Sequence, residues 1–269
     1  LNFFIQILSC KLEETEPSAG KEEFKMNNDL GKIAILCWEA GQVPRGLVQL
    51  ETLPGNSTNP KSYAFPVRFN RIKGANIHTV LERPSEDVLK NMIIESKKMI
   101  SEGIEAITTS CGFNAIFQKE LASSLDVPVF TSSLLQVPLV HKMLGPDRSI
   151  AVITAKKSAL KLEHLRAAGI TADIRLNISG MENSPEWNKI FTAPDDDVDL
   201  DVIADDVIGT AKEAVSQDKS IGAFVLECTD LPPFSEPIRQ ELHLPVFDFV
   251  TLIEFVARSI GVVKPFYVH

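Results

Sequence analysis

The sequence predicts an α/β fold of two similar lobes, each built on a mostly parallel sheet, related by an approximate two-fold axis. Two observations predict it. From Lys32 onward, apolar runs of strand length alternate with helix-like segments, which is the pattern of successive βαβ units. The second observation is an internal repeat. A shift of 117 residues lays Ile104 on Ile221, Ala106 on Ala223, Cys111 on Cys228, Phe117 on Phe234 and Leu125 on Leu242 without a gap. The same shift lays Pro128, Val129 and Phe130 on Pro245, Val246 and Phe247, so strand, cysteine, helix and next strand recur as one unit. Shared βαβ patterning accounts for matching strands but not for matching cysteines.

The first strand is expected over residues 32–37 (KIAILC), an apolar run suited to burial on both sides. Ser85 is placed to cap a helix whose first turn holds Glu86 and Asp87 and whose end holds Lys97 and Lys98; Gly103 stops it. A strand over 104–110, a helix over 113–125, a short strand over 127–130 and a helix over 134–144 follow, before the break at Gly145, Pro146 and Asp147. The second set begins with a strand over 149–154 and a helix closed by Gly169. An acidic loop at 195–197, a helix over 200–215 and strands over 221–227 and 244–247 complete it. These elements divide the chain into a first lobe of residues 27–145 with 248–269 and a second lobe of 146–247. Residues 1–26 read as a disordered or non-native extension with a natural start at Met26. The rival reading is the tail of a lipoprotein-type signal ending at Cys10, against which stand its short apolar part and the lack of a positive n-region.

Composition narrows the function. At 269 residues, 44% hydrophobic and 23% charged, the chain has ordinary globular makeup. A net charge of −9 with no basic cluster argues against a nucleic-acid binder, and no run of 18 apolar residues suggests a membrane span. The four cysteines lie far apart with no CxxC pair, so free thiols in a reducing cytoplasm are expected rather than zinc or disulfides. His78, His141, His164 and His243 lack metal-ligand spacing, and no GxGxxG or Walker-type loop is present. No metal and no cofactor are expected.

Cys111 and Cys228 carry the chemistry. Each is the first residue beyond a buried strand, IEAITTS or IGAFVLE, at the carboxyl end where open parallel sheets bind ligands. Two lobes facing each other bring both thiols to one cleft. An ordinary thiol is only about 3% ionised at pH 7, and a helix N-terminus is expected to lower its pKa by about 1.5 units, worth about 2 kcal/mol. Two close thiols do not both ionise readily, so one thiolate and one thiol result, as needed to move a proton from one side of a carbon to the other. Hydroxyls and helix-start N–H groups near the strand ends, among them Ser110, Ser132, Thr154 and Thr229, suit a small carboxylate. For any single Ser or Thr, an ordinary helix cap is the competing reading. Cys37 reads as a small buried hydrophobe, while Trp38 and Glu39 leave the same strand end and could border the cleft.

The motifs TTSCGFNA (residues 108–115) and LECTDLPPF (226–234), with the duplicated layout, resemble the aspartate/glutamate racemase superfamily, which includes hydantoin racemases, maleate isomerases and arylmalonate decarboxylases. The resemblance covers residues 27–261. It implies paired acid and base work by Cys111 and Cys228 without pyridoxal phosphate, with Gly112, Asn114 and Thr229 among the substrate contacts. Glutamate racemases show Asn-Thr after the first cysteine and His after the Thr of the second motif; this chain has Gly112-Phe113 and Asp230. The segment PGNSTNPKSYAFPV (54–67) looks like one in other superfamily members, and its Gly and Asn content marks a loop, with Thr52, Asn56 and Asn59 at the cleft rim. The function expected from the sequence is a cofactor-independent racemase or epimerase, an isomerase of amino-acid metabolism acting on a small carboxylate. A related decarboxylase or cis–trans isomerase is the alternative, and a two-lobed small-ligand binding protein is the reading from another class. The oligomeric state stays open, a homodimer being allowed.

Overall fold

The computed structural model describes residues 31–263, so the extension expected over residues 1–26 lies outside the described residues. β1 (Ile33–Cys37) is followed by the short helix α1 (Arg45–Leu50), β2 (Val67–Arg71) and the long helix α2 (Glu86–Ser101). β3 (Ala106–Thr109), α3 (Gln118–Ser124), β4 (Val129–Phe130) and α4 (Val137–Met143) complete the first half. The second half runs through β5 (Ser149–Thr154), α5 (Leu162–Ala167), β6 (Leu176–Gly180), α6 (Pro185–Thr192) and α7 (Leu200–Gln217). It ends with β7 (Ile221–Leu226), α8 (Ser235–Leu242), β8 (Val246–Phe247) and α9 (Phe249–Ser259).

Two four-stranded sheets result, in the orders β2-β1-β3-β4 and β6-β5-β7-β8, every pair parallel. The orders correspond strand for strand, as the repeat requires. β1, β5 and β7 are buried along their whole length, and their apolar side chains alternate between two cores. Ala34 and Leu36 pack into a large cluster that also takes Ala151, Ile153, Phe224 and Leu226 from the second half. The opposite faces are covered by helices exchanged between halves. α9 lays Leu252, Ile253 and Val256 on Ile33 and Ile35 of the first sheet, while α4 lays Val137 and Val140 on Ile150, Val152 and Val225 of the second. The helix over 137–143, grouped by sequence with the first lobe, thus packs on the second lobe's sheet. The exchange ties the halves together through two apolar faces.

Each strand–helix unit is closed by a matching polar tie. Gln118 Oε1 accepts from the Thr131 N–H (2.9 Å) and hydroxyl (2.8 Å); 117 residues on, the Ser235 hydroxyl donates to Asp248 Oδ2 at 2.5 Å. α2 spans the expected residues and ends before Gly103, whose φ of +102° is the left-handed conformation glycine adopts freely. Ser85 stands at its N-cap with extended backbone, but its side chain makes no capping bond. The helices expected over 113–125 and 134–144 each begin as a 3₁₀ turn, Gly112–Phe117 and Ser133–Gln136, before α3 and α4. No helix among the described residues is long and apolar enough to cross a membrane.

Candidate active site

The carboxyl ends of β3 and β7 converge on one cavity of about 570 Å³, measured to its open mouth, and both cysteines line it. Ser110, Cys111 and Gly112 come from the loop after β3; Glu227, Cys228, Thr229 and Asp230 come from the loop after β7. The two loops are bonded to each other. The Thr229 hydroxyl donates to the Ser110 carbonyl at 2.7 Å, and the Ser133 hydroxyl donates to the Leu226 carbonyl at 2.6 Å. Gly112 lies so close to Glu227 that a Cβ there would overlap its carboxylate and its backbone carbonyl. Glycine is needed at that position because two backbones and a buried acid meet there.

Apolar walls enclose the thiols. Trp38 follows β1, Leu47 belongs to α1, and Ile77 and Leu81 belong to a π-helical turn over Ile77–Glu82. Trp187, Ile190 and Phe191 come from α6, with the Trp187 indole donating to the Ala155 carbonyl at 3.0 Å. Arg71, at the end of β2, is the only lysine or arginine among the lining residues, and it donates to the Trp38 carbonyl at 3.2 Å. Three lining residues are acids: Glu51, Glu227 and Asp230.

Electrostatics reverse one expectation. Burial outweighs the lowering that the Phe113 and Asp230 N–H groups, in the turns after the two cysteines, exert on the thiols. Burial pushes both well above the ordinary thiol value; the Glu227 carboxylate adds most to this at Cys111, and the Asp230 carboxylate adds most at Cys228. The helical dipole is weak because Cys111 and Cys228 lead into short 3₁₀ turns, Gly112–Phe117 and Pro232–Phe234, and not directly into α3 and α8. The acids are raised too. Burial lifts Glu227 to about 7 against the hydroxyl of Thr154, and lifts Asp230 to about 7 against its bond from Asn56. Burial also raises Glu51, with the Arg71 charge opposing.

The sequence-predicted residues fall into two groups. Cys111, Cys228, Ser110, Gly112 and Thr229 line the cavity. Asn56, Thr154, Asn59, Asn114, Ser132 and Thr52 do not. Asn56 stands behind the second cysteine loop, where its amide donates to Asp230 Oδ1 at 2.9 Å and its carbonyl holds Thr58. Thr154 donates to Glu227 Oε2 at 2.7 Å. Asn59 ties its own loop to the Thr52 and Leu53 carbonyls, Ser132 caps the Leu134 N–H, and exposed Thr52 donates to the Gln49 carbonyl. Asn114 is buried on the 3₁₀ turn with neither side-chain polar atom partnered. The loop after α1 is therefore a brace: Ser57 donates to the Thr229 carbonyl from both its N–H and its hydroxyl, pinning the second thiol's loop to the first half. Cys37 packs beside Tyr63 and Phe65, and burial pushes its thiol up to about 12. Glu39 accepts the Gly74 N–H at 2.9 Å.

Glu227, Asp230, Glu51 and Arg71 are the charged lining residues that reading for sites passed over. The available signal was Glu227 itself, an acid closing the otherwise apolar run IGAFVL immediately before a cysteine. Arg71 gave none, because its strand VRFNR is a half-buried edge without clear alternation.

No family model matches the chain. Among named proteins, a dimethylsulfoniopropionate lyase of Durusdinium sp. clade D is 27% identical over 254 residues, covering 92% of this chain and 80% of that protein. Dimethylsulfoniopropionate lyase 7 of Emiliania huxleyi (strain CCMP1516) is 32% identical over 206 residues, 73% of this chain and 60% of the relative. Lyase 6 of the same strain is 31% identical over 215 residues, 77% of this chain and 56% of its own length. The chain thus spans less than two thirds of the two Emiliania proteins. These relatives overturn the expectation of a racemase: they are lyases, not isomerases, and nothing in their names concerns amino-acid racemisation.

Solved structures speak to the fold. An allantoin racemase from Pseudomonas fluorescens superposes with a TM-score of 0.56 at 18% identity, covering 88% of this chain and 99% of its own. An aspartate racemase homologue from Pyrococcus horikoshii OT3 gives 0.55 at 15% identity over 86% of this chain and 99% of that one. A mutant arylmalonate decarboxylase in its sulfate-associated form gives 0.54 at 13% over 87% and 94%. With its two parallel four-stranded sheets in matching order, the chain has the two-lobed α/β fold of these solved structures.

Proposed function

We propose that this chain is a lyase that splits dimethylsulfoniopropionate, or a close β-sulfonium carboxylate, into dimethyl sulfide and acrylate. The observation that carries the proposal is the similarity to a dimethylsulfoniopropionate lyase across 92% of the chain. The cavity supports it chemically. Elimination begins with removal of a proton α to the carboxylate; the C–H electron pair becomes the C=C bond, and the C–S bond breaks with its pair going to sulfur. A thiolate at Cys111 or Cys228 is a suitable base for that proton, which is the step this reaction shares with racemisation. Elimination needs only one base, so the second thiol need not deliver a proton.

The lining suits a zwitterion. Arg71 is the cation available to the carboxylate, and N–H groups of the two cysteine loops assist it. The sulfonium fits among the Trp38, Phe113, Trp187 and Phe191 rings, where a desolvated cation over an aromatic face gains about 2 kcal/mol. Glu51 and Asp230 supply balancing negative charge. Free, buried thiols at Cys37, Cys111 and Cys228 suit a reducing cytoplasm. The test is product analysis by NMR and headspace gas chromatography after incubating the purified protein with dimethylsulfoniopropionate. Equal amounts of acrylate and dimethyl sulfide are expected; intact substrate would end the proposal.

A further inference from the structure

Glu227 sits where the two halves touch. It is fully buried, and its Oε2 accepts the Thr154 hydroxyl at 2.7 Å while Oε1 has no hydrogen-bond partner. The carboxylate presses against Gly112, the residue after Cys111, and lines the cavity with both thiols. The two acids bear unequally on the thiols. Cys228 donates its S–H to Asp230 Oδ2 at 3.7 Å, whereas Cys111 has Glu227 as the acid bearing on it most strongly. An unpartnered buried oxygen at a junction that excludes even a methyl group on Gly112 is costly unless it has work to do.

The proposed elimination supplies that work. A racemase returns its proton to the substrate, but each elimination leaves one proton on the enzyme, and a thiol held well above its ordinary value by burial needs a neighbouring base to become a thiolate. Resting on the lyase reading, we propose that Glu227 is the proton carrier of Cys111, taking the thiol proton when substrate binds and releasing it to solvent after turnover. The steps balance. The Cys111 thiol and the Glu227 carboxylate become thiolate and carboxylic acid, the substrate's sulfonium charge offsetting the cost of the thiolate. The thiolate removes the α-proton and is again a thiol; dimethyl sulfide leaves with the C–S electron pair and acrylate remains. Glu227 then loses its proton to water, so the net products are dimethyl sulfide, acrylate and one proton. Burial holds Glu227 near 7, which lets it give up that proton at neutral pH. The other ionisable groups facing the same cavity are Cys111, Cys228, Asp230, Glu51 and Arg71.

Glu227 acts through Cys111 and is a positioning residue in that sense, so its test uses readouts that a purely structural role would leave alone. For Glu227→Gln, kcat on dimethylsulfoniopropionate should fall about 100-fold or more with KM within about threefold, and the acidic limb of the pH–rate profile near neutrality should vanish. Glu227→Asp should keep that limb and recover part of the rate, and it stands in should the Gln variant fail to fold. A second measurement needs no substrate. Site-resolved alkylation of Cys111 across pH should shift its midpoint down by about one unit in Glu227→Gln, because a neighbouring negative charge is gone. An unchanged acidic limb, or an unchanged alkylation midpoint, overturns the proposal. Absence of dimethyl sulfide from the wild-type protein would overturn the lyase reading instead, and the alkylation midpoint would still decide whether Glu227 governs Cys111.

Discussion

Replacing Asp230 by asparagine should stabilise the protein, and more so at alkaline pH. Asp230 is buried, accepts the Asn56 amide at 2.9 Å on Oδ1 and the Cys228 thiol at 3.7 Å on Oδ2, and is lifted from 3.8 to about 7 by burial. The unfolded chain releases this proton near pH 4, whereas the folded protein holds it until about 7. Folding therefore binds a proton in this window, and stability falls as pH rises through it. Three units at 1.36 kcal/mol per unit amount to about 4 kcal/mol at pH 8, less than half of that at pH 5, and next to nothing below pH 3. Asparagine keeps an oxygen for the Asn56 amide and carries no charge. Asp230→Asn should accordingly exceed the wild type by about 4 kcal/mol at pH 8, equivalent to a melting temperature higher by about 10 °C, with the gap narrowing toward pH 5. Urea unfolding at pH 5, 6, 7 and 8 measures this. A gap independent of pH, or a wild type more stable at pH 8, would refute the reasoning.

Gly112→Ala should cost about 1–3 kcal/mol in urea unfolding and abolish turnover, because the new methyl overlaps the Glu227 carboxylate and carbonyl; a wild-type midpoint would contradict the close approach. Thr154→Val removes the one hydrogen bond that the Glu227 carboxylate accepts among the described residues, which holds that acid down, so the acidic limb of the pH–rate profile should move upward by about one unit. Trp187→Ala should destabilise by about 3–5 kcal/mol in chemical denaturation, since the ring is fully buried and its N–H holds the Ala155 carbonyl. Asn56→Ala should lower stability by about 1–3 kcal/mol in the same assay, leaving Asp230 and Thr58 without their buried partner.

Much of the architecture was legible because the buried strands declare themselves. IAILC, SIAVIT and IGAFVL are near-continuous apolar runs, as strands covered on both faces must be, and the repeat aligned their partners. The edge strands VRFNR and LNISG were not legible, because half-buried edges carry polar side chains and no strong alternation. The packing of α4 on the second sheet is a long-range choice that no local pattern encodes, whereas the residues of α9 were grouped with the first lobe from the sequence. At the site, position along the repeat brought Cys111 and Cys228 to one cavity, since a residue following a buried parallel strand has only one place to go. Function was read from the fold's commonest chemistry, and there it failed. A base beside an α-proton serves racemisation and elimination alike, and the difference lies in what the substrate carries at the next carbon. The acids that distinguish this cavity, Glu227 and Asp230, flank Cys228 in plain sequence, but their weight comes from burial, which sequence does not display.

The central claim is that a thiolate at Cys111 removes the proton that sets dimethyl sulfide free. The rate of dimethyl sulfide release from dimethylsulfoniopropionate by the wild-type protein, set beside that of a folded Cys111→Ser variant, tests it most directly. The account predicts steady release by the wild type and a loss of about 100-fold or more in the variant. Release by Cys111→Ser at the wild-type rate would contradict it.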